Sequence, residues 1–275
     1  MNQDAVLAVR LSDGRELVAV ADGMGGHSAG EVASQRALET VWTRLKAGLD
    51  LSGAVAAANA ELHSLAAANP AWSGMGTTLV ALLRAGSSYE IANVGDSRAY
   101  RITEESVGQI TTDHSFVAEA MREARLATDE IVSSRWRNAL TRALGTEADV
   151  AVDVFGPFDA RERHAVLLCT DGLHRSVSDE VLKQHVARAD DPWAAAQALT
   201  AEAYRNGSSD NISAAVVLFG DEEPPRQRVD APIVLAQPKS SRRRRRSRHV
   251  RRTELQLAVT IVLLILVVMV LMRVW

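Results

Sequence analysis

Five short apolar runs, Glu16 to Ala21, Thr77 to Leu83, Tyr89 to Val94, Ala165 to Cys169 and Ile212 to Phe219, are each bounded by Gly, Asp or Asn and read as β-strands. Glu31 to Leu45 and Ala54 to Ala68 place apolar residues three and four apart, the period of an amphipathic helix. Ser28, three residues before Glu31, predicts a capping box at the first of these. Asp191 before Pro192, with Asn206-Gly207 at the far side, brackets a further helix over Trp193 to Arg205. The elements are segregated rather than alternating as βαβ units, so the expected class is α+β.

The pattern changes after residue 220. Asp221 to Pro238 has no sustained period and contains Glu-Glu-Pro-Pro, so residues 221–238 read as an extended linker behind a domain over 1–220. Lys239 to Arg252 holds nine basic residues and no acidic one. Leu255 to Met272 is an apolar run of 18 residues broken only by Gln256 and Thr260, about 27 Å long at a helical rise of about 1.5 Å per residue. The expectation is a basic juxtamembrane segment over 239–252, drawn to anionic lipid, and one transmembrane helix over 253–275 with the basic flank in the cytoplasm. An RNA-binding arm is the competing reading of the arginines, disfavoured by the adjoining apolar span. Met1 to Arg10 shows no secretory signal, so the body is expected to stay in the cytoplasm, anchored to the membrane by its tail.

Charge divides at the same boundary. Residues 1–220 carry 19 Lys and Arg against 29 Asp and Glu, a balance of -10, whereas 221–275 carry 12 against 5, a balance of +7. An acidic body argues against nucleic acid as its partner. The single Cys169 rules out an internal disulfide and a cysteine-built zinc cluster.

Four strand ends meet an aspartate beside a small or amide residue: Ala21-Asp22-Gly23, Val94-Gly95-Asp96-Ser97, Thr170-Asp171-Gly172 and Ser209-Asp210-Asn211. Each alone reads as a turn, because Asp bonds its own backbone and Gly supplies positive φ. Together they suggest carboxylates converging on one rim of a sheet, where they would repel unless a cation neutralised them. With no Cys/His set, the oxygen ligands suit Mg²⁺ or Mn²⁺. Gly23-Met24-Gly25-Gly26-His27-Ser28 lacks the third glycine of a dinucleotide fingerprint, and Gly74-Met75-Gly76-Thr77-Thr78 lacks the lysine of a phosphate loop. Both runs read instead as backbone that must pass close to other groups.

Asn2-Gln3-Asp4, Asp22-Gly23-Met24-Gly25-Gly26, Gly74-Met75-Gly76-Thr77-Thr78, Asn93-Val94-Gly95-Asp96-Ser97-Arg98, Asp113-His114-Ser115, Leu140-Thr141-Arg142-Ala143-Leu144-Gly145, Thr170-Asp171-Gly172-Leu173 and Ser209-Asp210-Asn211-Ile212 occur in that order. In this the chain resembles the PPM-type (type 2C) protein phosphatases, over the whole body and none of the tail. The resemblance implies a four-layer α-β-β-α sandwich of two antiparallel sheets flanked by helices, hydrolysing phosphoserine and phosphothreonine in proteins at two Mn²⁺ or Mg²⁺ ions. By the same resemblance, Asp22 would bridge the ions, the Gly23 carbonyl would help hold one, and Asp171 with Asp210 would complete the other. Asp96 with Asp171 matches a third, weaker metal position of bacterial members, and Asp4 a carboxylate that holds metal-bound water. His114 is expected to be structural; His27 lies past the position where eukaryotic relatives carry histidine and this chain has Met24. Phe116 to Asn138 matches the variable flap beside the site.

Relatives also carry a strand before the Asn-Gln-Asp motif, and an arginine three residues before its Asn that contacts substrate phosphate. Here Met1 directly precedes Asn2. Either further residues lie upstream, or this chain lacks that phosphate arginine and an edge strand, with Arg10 or Arg15 as the candidate to bind the phosphate instead. The expected function is a membrane-tethered serine/threonine phosphatase opposing a bacterial Ser/Thr kinase. A pseudophosphatase that binds phosphoproteins is the alternative, and a membrane-attached nuclease is disfavoured by the acidic body.

Overall fold

The structure, a computed structural model, describes residues 2–26, 28–123, 139–189 and 191–220. The expected linker, basic segment and transmembrane span lie outside the described residues, as do His27 and the flap positions 124–138. Among the described residues no helix is long and apolar enough to cross a membrane.

Strands β1 (Asp4–Arg10), β2 (Glu16–Met24), β4 (Leu79–Ala85), β5 (Ser88–Val94) and β8 (Asp153–Asp159) form one sheet in the order β1-β2-β4-β5-β8, with β3 (Gly76–Thr77) pairing to the end of β2. The second sheet runs β10 (Ala214–Phe219), β9 (His164–Cys169), β6 (Arg98–Ile102), β7 (Val107–Gln109). Every pairing is antiparallel. Around the sheets lie α1 (Ala29–Lys46), α2 (Leu51–Ala68), α3 (Phe116–Arg122), α4 (Asp171–His174), α5 (Asp179–Arg188) and α6 (Pro192–Arg205).

Side-chain alternation decides the layering. Leu7, Val9, Leu17, Ala19, Leu79 and Ala81 pack on one face against Ala33, Ala37 and Val41 of α1 and Val55 and Ala58 of α2. Their neighbours Val6, Val18, Val20, Val80 and Leu82 point the other way, onto Val166, Leu168, Ala215 and Val217 of the second sheet. On that sheet's outer face, Ala165, Leu167 and Val216 meet Leu182 of α5 and Ala195 and Leu199 of α6. The chain therefore builds three stacked cores in an α-β-β-α order, and strands buried on both faces must read as unbroken apolar runs. Each fully buried Leu or Val contributes about 1.5 to 3 kcal/mol, which a one-residue register slip would redistribute between unlike layers.

Two local expectations need correction. Ser28 is the N-cap of α1 but sits at φ -97, ψ -2, already helical, so its hydroxyl makes no capping bond and no capping box forms. Helix α2 starts a turn earlier than expected because Asp50, in extended backbone, accepts a hydrogen bond from Gly53 N at 2.8 Å. At α6 the expectation holds: Asp191 accepts from Ala194 N at 2.7 Å and Pro192 occupies the first turn.

Candidate metal centre

The register of β1 on β2 sets Asp4 directly opposite Asp22. Like charges so paired repel, which a sheet does not adopt without a reason. The same end of the sandwich receives Asp96 from the turn between β5 and β6, Asp171 from the start of α4, and Asp210 from the loop before β10. Asp22, Asp96, Asp171 and Asp210 line one cleft of about 610 Å³ with Thr78, Thr141 and Arg142.

The other motifs fix this backbone. Thr78 Oγ1 accepts from Asp22 N at 3.0 Å while Thr77 Oγ1 donates to Asp22 O at 2.9 Å, so Gly76-Thr77-Thr78 clamps both sides of the Asp22 peptide. Gln3 N donates to Asn211 Oδ1 at 2.8 Å, joining the first motif to the last across 208 residues. Thr170 Oγ1 donates to Asp4 Oδ2 at 2.9 Å. A Cβ on Gly23 would stand 2.0 Å from Gly30 O, the close backbone approach expected of that run, and one on Gly172 1.9 Å from Asn211 O, a close approach the sequence did not single out.

Electrostatics at this end are strained. Burial, then the facing Asp171 and Asp210, push Asp4 up to about 7. Burial followed by Asp4, Asp171, Asp210 and Asp96 holds Asp22 well above the usual carboxylate range. Asp96 is raised to about 6 by burial and then by Asp171. Asp171 is raised by burial, against the opposing pull of Arg175. Asp4 Oδ1 and Asp171 Oδ1 are buried with no hydrogen-bond partner. Among the described residues the acidic groups line the cleft rather than closing on one point as a finished ligand shell. Unpartnered, mutually repelling, hard oxygen atoms nonetheless fit a divalent cation such as Mg²⁺ or Mn²⁺.

His114 is structural in its contacts. Its Nδ1 accepts from Gly95 N at 3.1 Å, which leaves the proton on Nε2 facing Asp153 Oδ2 at 3.0 Å. Burial lowers its pKa first, with Asp153 opposing. Asp153 also accepts from Arg142 at 2.9 Å, aiming a guanidinium at the cleft. Arg10 and Arg15 are excluded as phosphate ligands. Arg10 lies six residues along β1 from Asp4, about 20 Å away, and its Nε donates to Glu16 at 2.9 Å. Arg15 pairs with Asp13 at 2.7 Å and donates to Leu45 O. Sequence reasoning missed Arg175, whose position four residues after Asp171 was the available signal.

A model of the family described as Protein phosphatase 2C matches residues 1–206. The chain belongs to this family. Among its relatives, the serine/threonine phosphatase stp of Listeria innocua is 35% identical over 227 residues, covering 78% of this chain and 89% of the relative. The serine/threonine protein phosphatase PstP of Mycobacterium tuberculosis is 36% identical over 227 residues, 78% of this chain and 41% of the relative. The crystal structure of a bacterial serine phosphatase superposes with TM-score 0.73 at 31% identity, covering 81% of this chain and 94% of that one. That of mycobacterial PstP superposes with TM-score 0.68 at 35% identity, covering 81% and 93%. The protein phosphatase 2C fold, α+β with two antiparallel sheets and flanking helices, is thus shared with these structures.

Proposed function

We propose that the chain is a metal-dependent protein phosphatase that hydrolyses phosphoserine and phosphothreonine in proteins, held at the cytoplasmic membrane by its C-terminal tail and opposing a Ser/Thr kinase. The observation that carries the reading is the convergence of four aspartates on a cleft that also holds Arg142, with Asp4 paired opposite one of them and buried oxygens of Asp4 and Asp171 left unpartnered. Asp22, the Gly23 carbonyl, Asp171 and Asp210 would hold two Mn²⁺ or Mg²⁺ ions, which when bound supply Lewis acidity toward water and the phosphate oxygens. Asp4, fixed at Oδ2 by Thr170, presents Oδ1 as a proton acceptor beside Asp22. Arg142, oriented by Asp153, binds the substrate phosphate through charge-assisted hydrogen bonds.

The single cysteine is not placed to act as a nucleophile. Cys169 is fully buried in the core beneath α5 and α6, and burial pushes its thiol up, away from the reactive thiolate. The tether rests on the apolar run from Leu255 to Met272 and the arginines before it.

One experiment separates the parts of this reading. The full chain is expressed in a bacterial host, fractionated, and each fraction assayed with p-nitrophenyl phosphate and a phosphothreonine peptide. The expected result is Mn²⁺-dependent hydrolysis in the membrane fraction, released by detergent and abolished by EDTA. Activity in the soluble fraction would overturn the tether alone. Hydrolysis indifferent to EDTA would overturn the metal assignment, and peptide binding without turnover would favour the phosphoprotein-binding alternative.

A further inference from the structure

Arg175 closes the first turn after Asp171, and its guanidinium is divided between two aspartates of the cleft. One nitrogen lies 2.8 Å from Asp96 Oδ2 and another 2.9 Å from Asp171 Oδ2. Those carboxylates are 75 residues apart in sequence and come from different turns, so the bridge joins a local i,i+4 pair with Asp171 to a tertiary contact with Asp96. The preceding residue grips the same turn: His174 Nε2 approaches Asp96 O at 2.9 Å. The two aspartate side chains are 7% and 12% exposed and that of Arg175 is 35% exposed, so a charged head is drawn in from the rim to reach them. Asp171 Oδ1 is not held by Arg175, and the Asp171 carboxylate as a whole also feels Asp22 and Asp210.

Asp96 with Asp171 is the pair that would share a third cation if the metal reading above is right. A cation bonded to Asp96 Oδ2 and Asp171 Oδ2 would meet a guanidinium already seated on the same two oxygens. A planar fork with fixed positive charge cannot be deprotonated and is held by its own chain. We infer that Arg175 is a built-in cation that takes the place of a third metal ion, so that this chain fills two metal positions and supplies the third charge itself. The two remaining positions keep Asp22, Asp210 and the second oxygen of Asp171.

The inference rests on the metal-dependent reading, and its test has outcomes that distinguish the two. Mn²⁺ binding to the full chain is followed by isothermal titration calorimetry and equilibrium dialysis. The proteins are wild type, Arg175→Met, Arg175→Lys and the double variant Arg175→Met with Asp96→Asn, each checked for fold by circular dichroism. The wild type is expected to bind two ions up to millimolar Mn²⁺, and Arg175→Met to bind a third at least tenfold more tightly than any further ion bound by the wild type. Arg175→Lys, which keeps a charge on the site, should remain near two ions, and the double variant should lose the third. A third ion in the wild type with affinity equal to that in Arg175→Met would overturn the inference alone. So would a third ion that survives Asp96→Asn. A wild type that binds no Mn²⁺ would overturn the metal reading and this inference with it. Should Arg175→Met not fold, a third ion absent from Arg175→Lys and from a folded Arg175→Gln alike would count against the inference.

Discussion

Strand β9 begins at His164, among stacked aromatic rings, and ends at Cys169, two residues before Asp171 in the carboxylate cleft. The two ends bury polar groups in opposite ways. At the aromatic end Phe219 stacks on Tyr89 at 4.5 Å and on His164 at 4.9 Å. His164 Nδ1 faces the Glu162 carbonyl at 2.7 Å and must donate to it, so Nε2 accepts from the Tyr89 hydroxyl at 2.8 Å. Every hydrogen bond there is matched with a neutral imidazole, in keeping with the lowering of its pKa by burial. At the other end buried acids face one another with oxygens unmatched. One end satisfies its buried polar groups from within the fold; the other leaves buried carboxylate oxygens without partners.

One substitution at each end tests that contrast. The largest effect is expected from Asp171→Asn, which should lower kcat/KM by about 1,000-fold, roughly 4 kcal/mol, while the melting temperature in EDTA stays level or rises because repulsion is relieved. Wild-type Mn²⁺-dependent turnover in this variant would break the comparison. At the aromatic end the sign reverses. Phe219→Ala should destabilise by about 3 kcal/mol in urea unfolding, through a cavity and lost stacking, yet leave kcat/KM per folded molecule within about twofold.

A smaller and sharper effect is expected from pH in the metal-free protein. Asp4 is raised from its ordinary value to about 7 in the folded state, so the folded chain binds more protons than the unfolded one between about pH 4 and 7. Its contribution is therefore fully present below pH 4 and lost as pH rises through 7, on the order of a few kcal/mol in all. Urea midpoints in EDTA should fall over that interval, and fall less in Asp4→Asn. Saturating Mn²⁺ should reverse the slope, since it binds the ionised form. An unchanged slope in Asp4→Asn would assign the effect to other groups.

The strands that were legible are those whose two buried faces leave an unbroken apolar run, such as Leu17 to Ala21; β6, interior to its sheet, escaped because Arg98 and Arg101 interrupt its apolar residues. Strand β7 escaped notice because Val107-Gly108-Gln109 is a short, exposed edge. Strand β8 escaped because it is the opposite sheet's edge, half exposed and interrupted by Gly156-Pro157. The aspartates were legible as a set, from repetition at strand ends, but not their partners. Only the fold brings Thr170 to Asp4, Arg142 to the cleft and Arg175 to Asp96, since each contact joins elements that local pattern treats separately. Ser28 shows the converse error, a sound local signal that the backbone angle overrode.

The register that sets Asp4 against Asp22, and the loops that add Asp96, Asp171 and Asp210, draw the acidic set from nearly the full length of the domain. No partially folded stretch can assemble it. A cation bound there is a ligand of the completed fold alone, and stabilises it by about 2.7 kcal/mol at one hundred times its dissociation constant. Cellular manganese or magnesium would then govern how much of this protein escapes proteolysis as well as how fast each copy works. Scarcity of the ion would deplete the phosphatase itself, and its targets would stay phosphorylated for as long as new synthesis took to replace it.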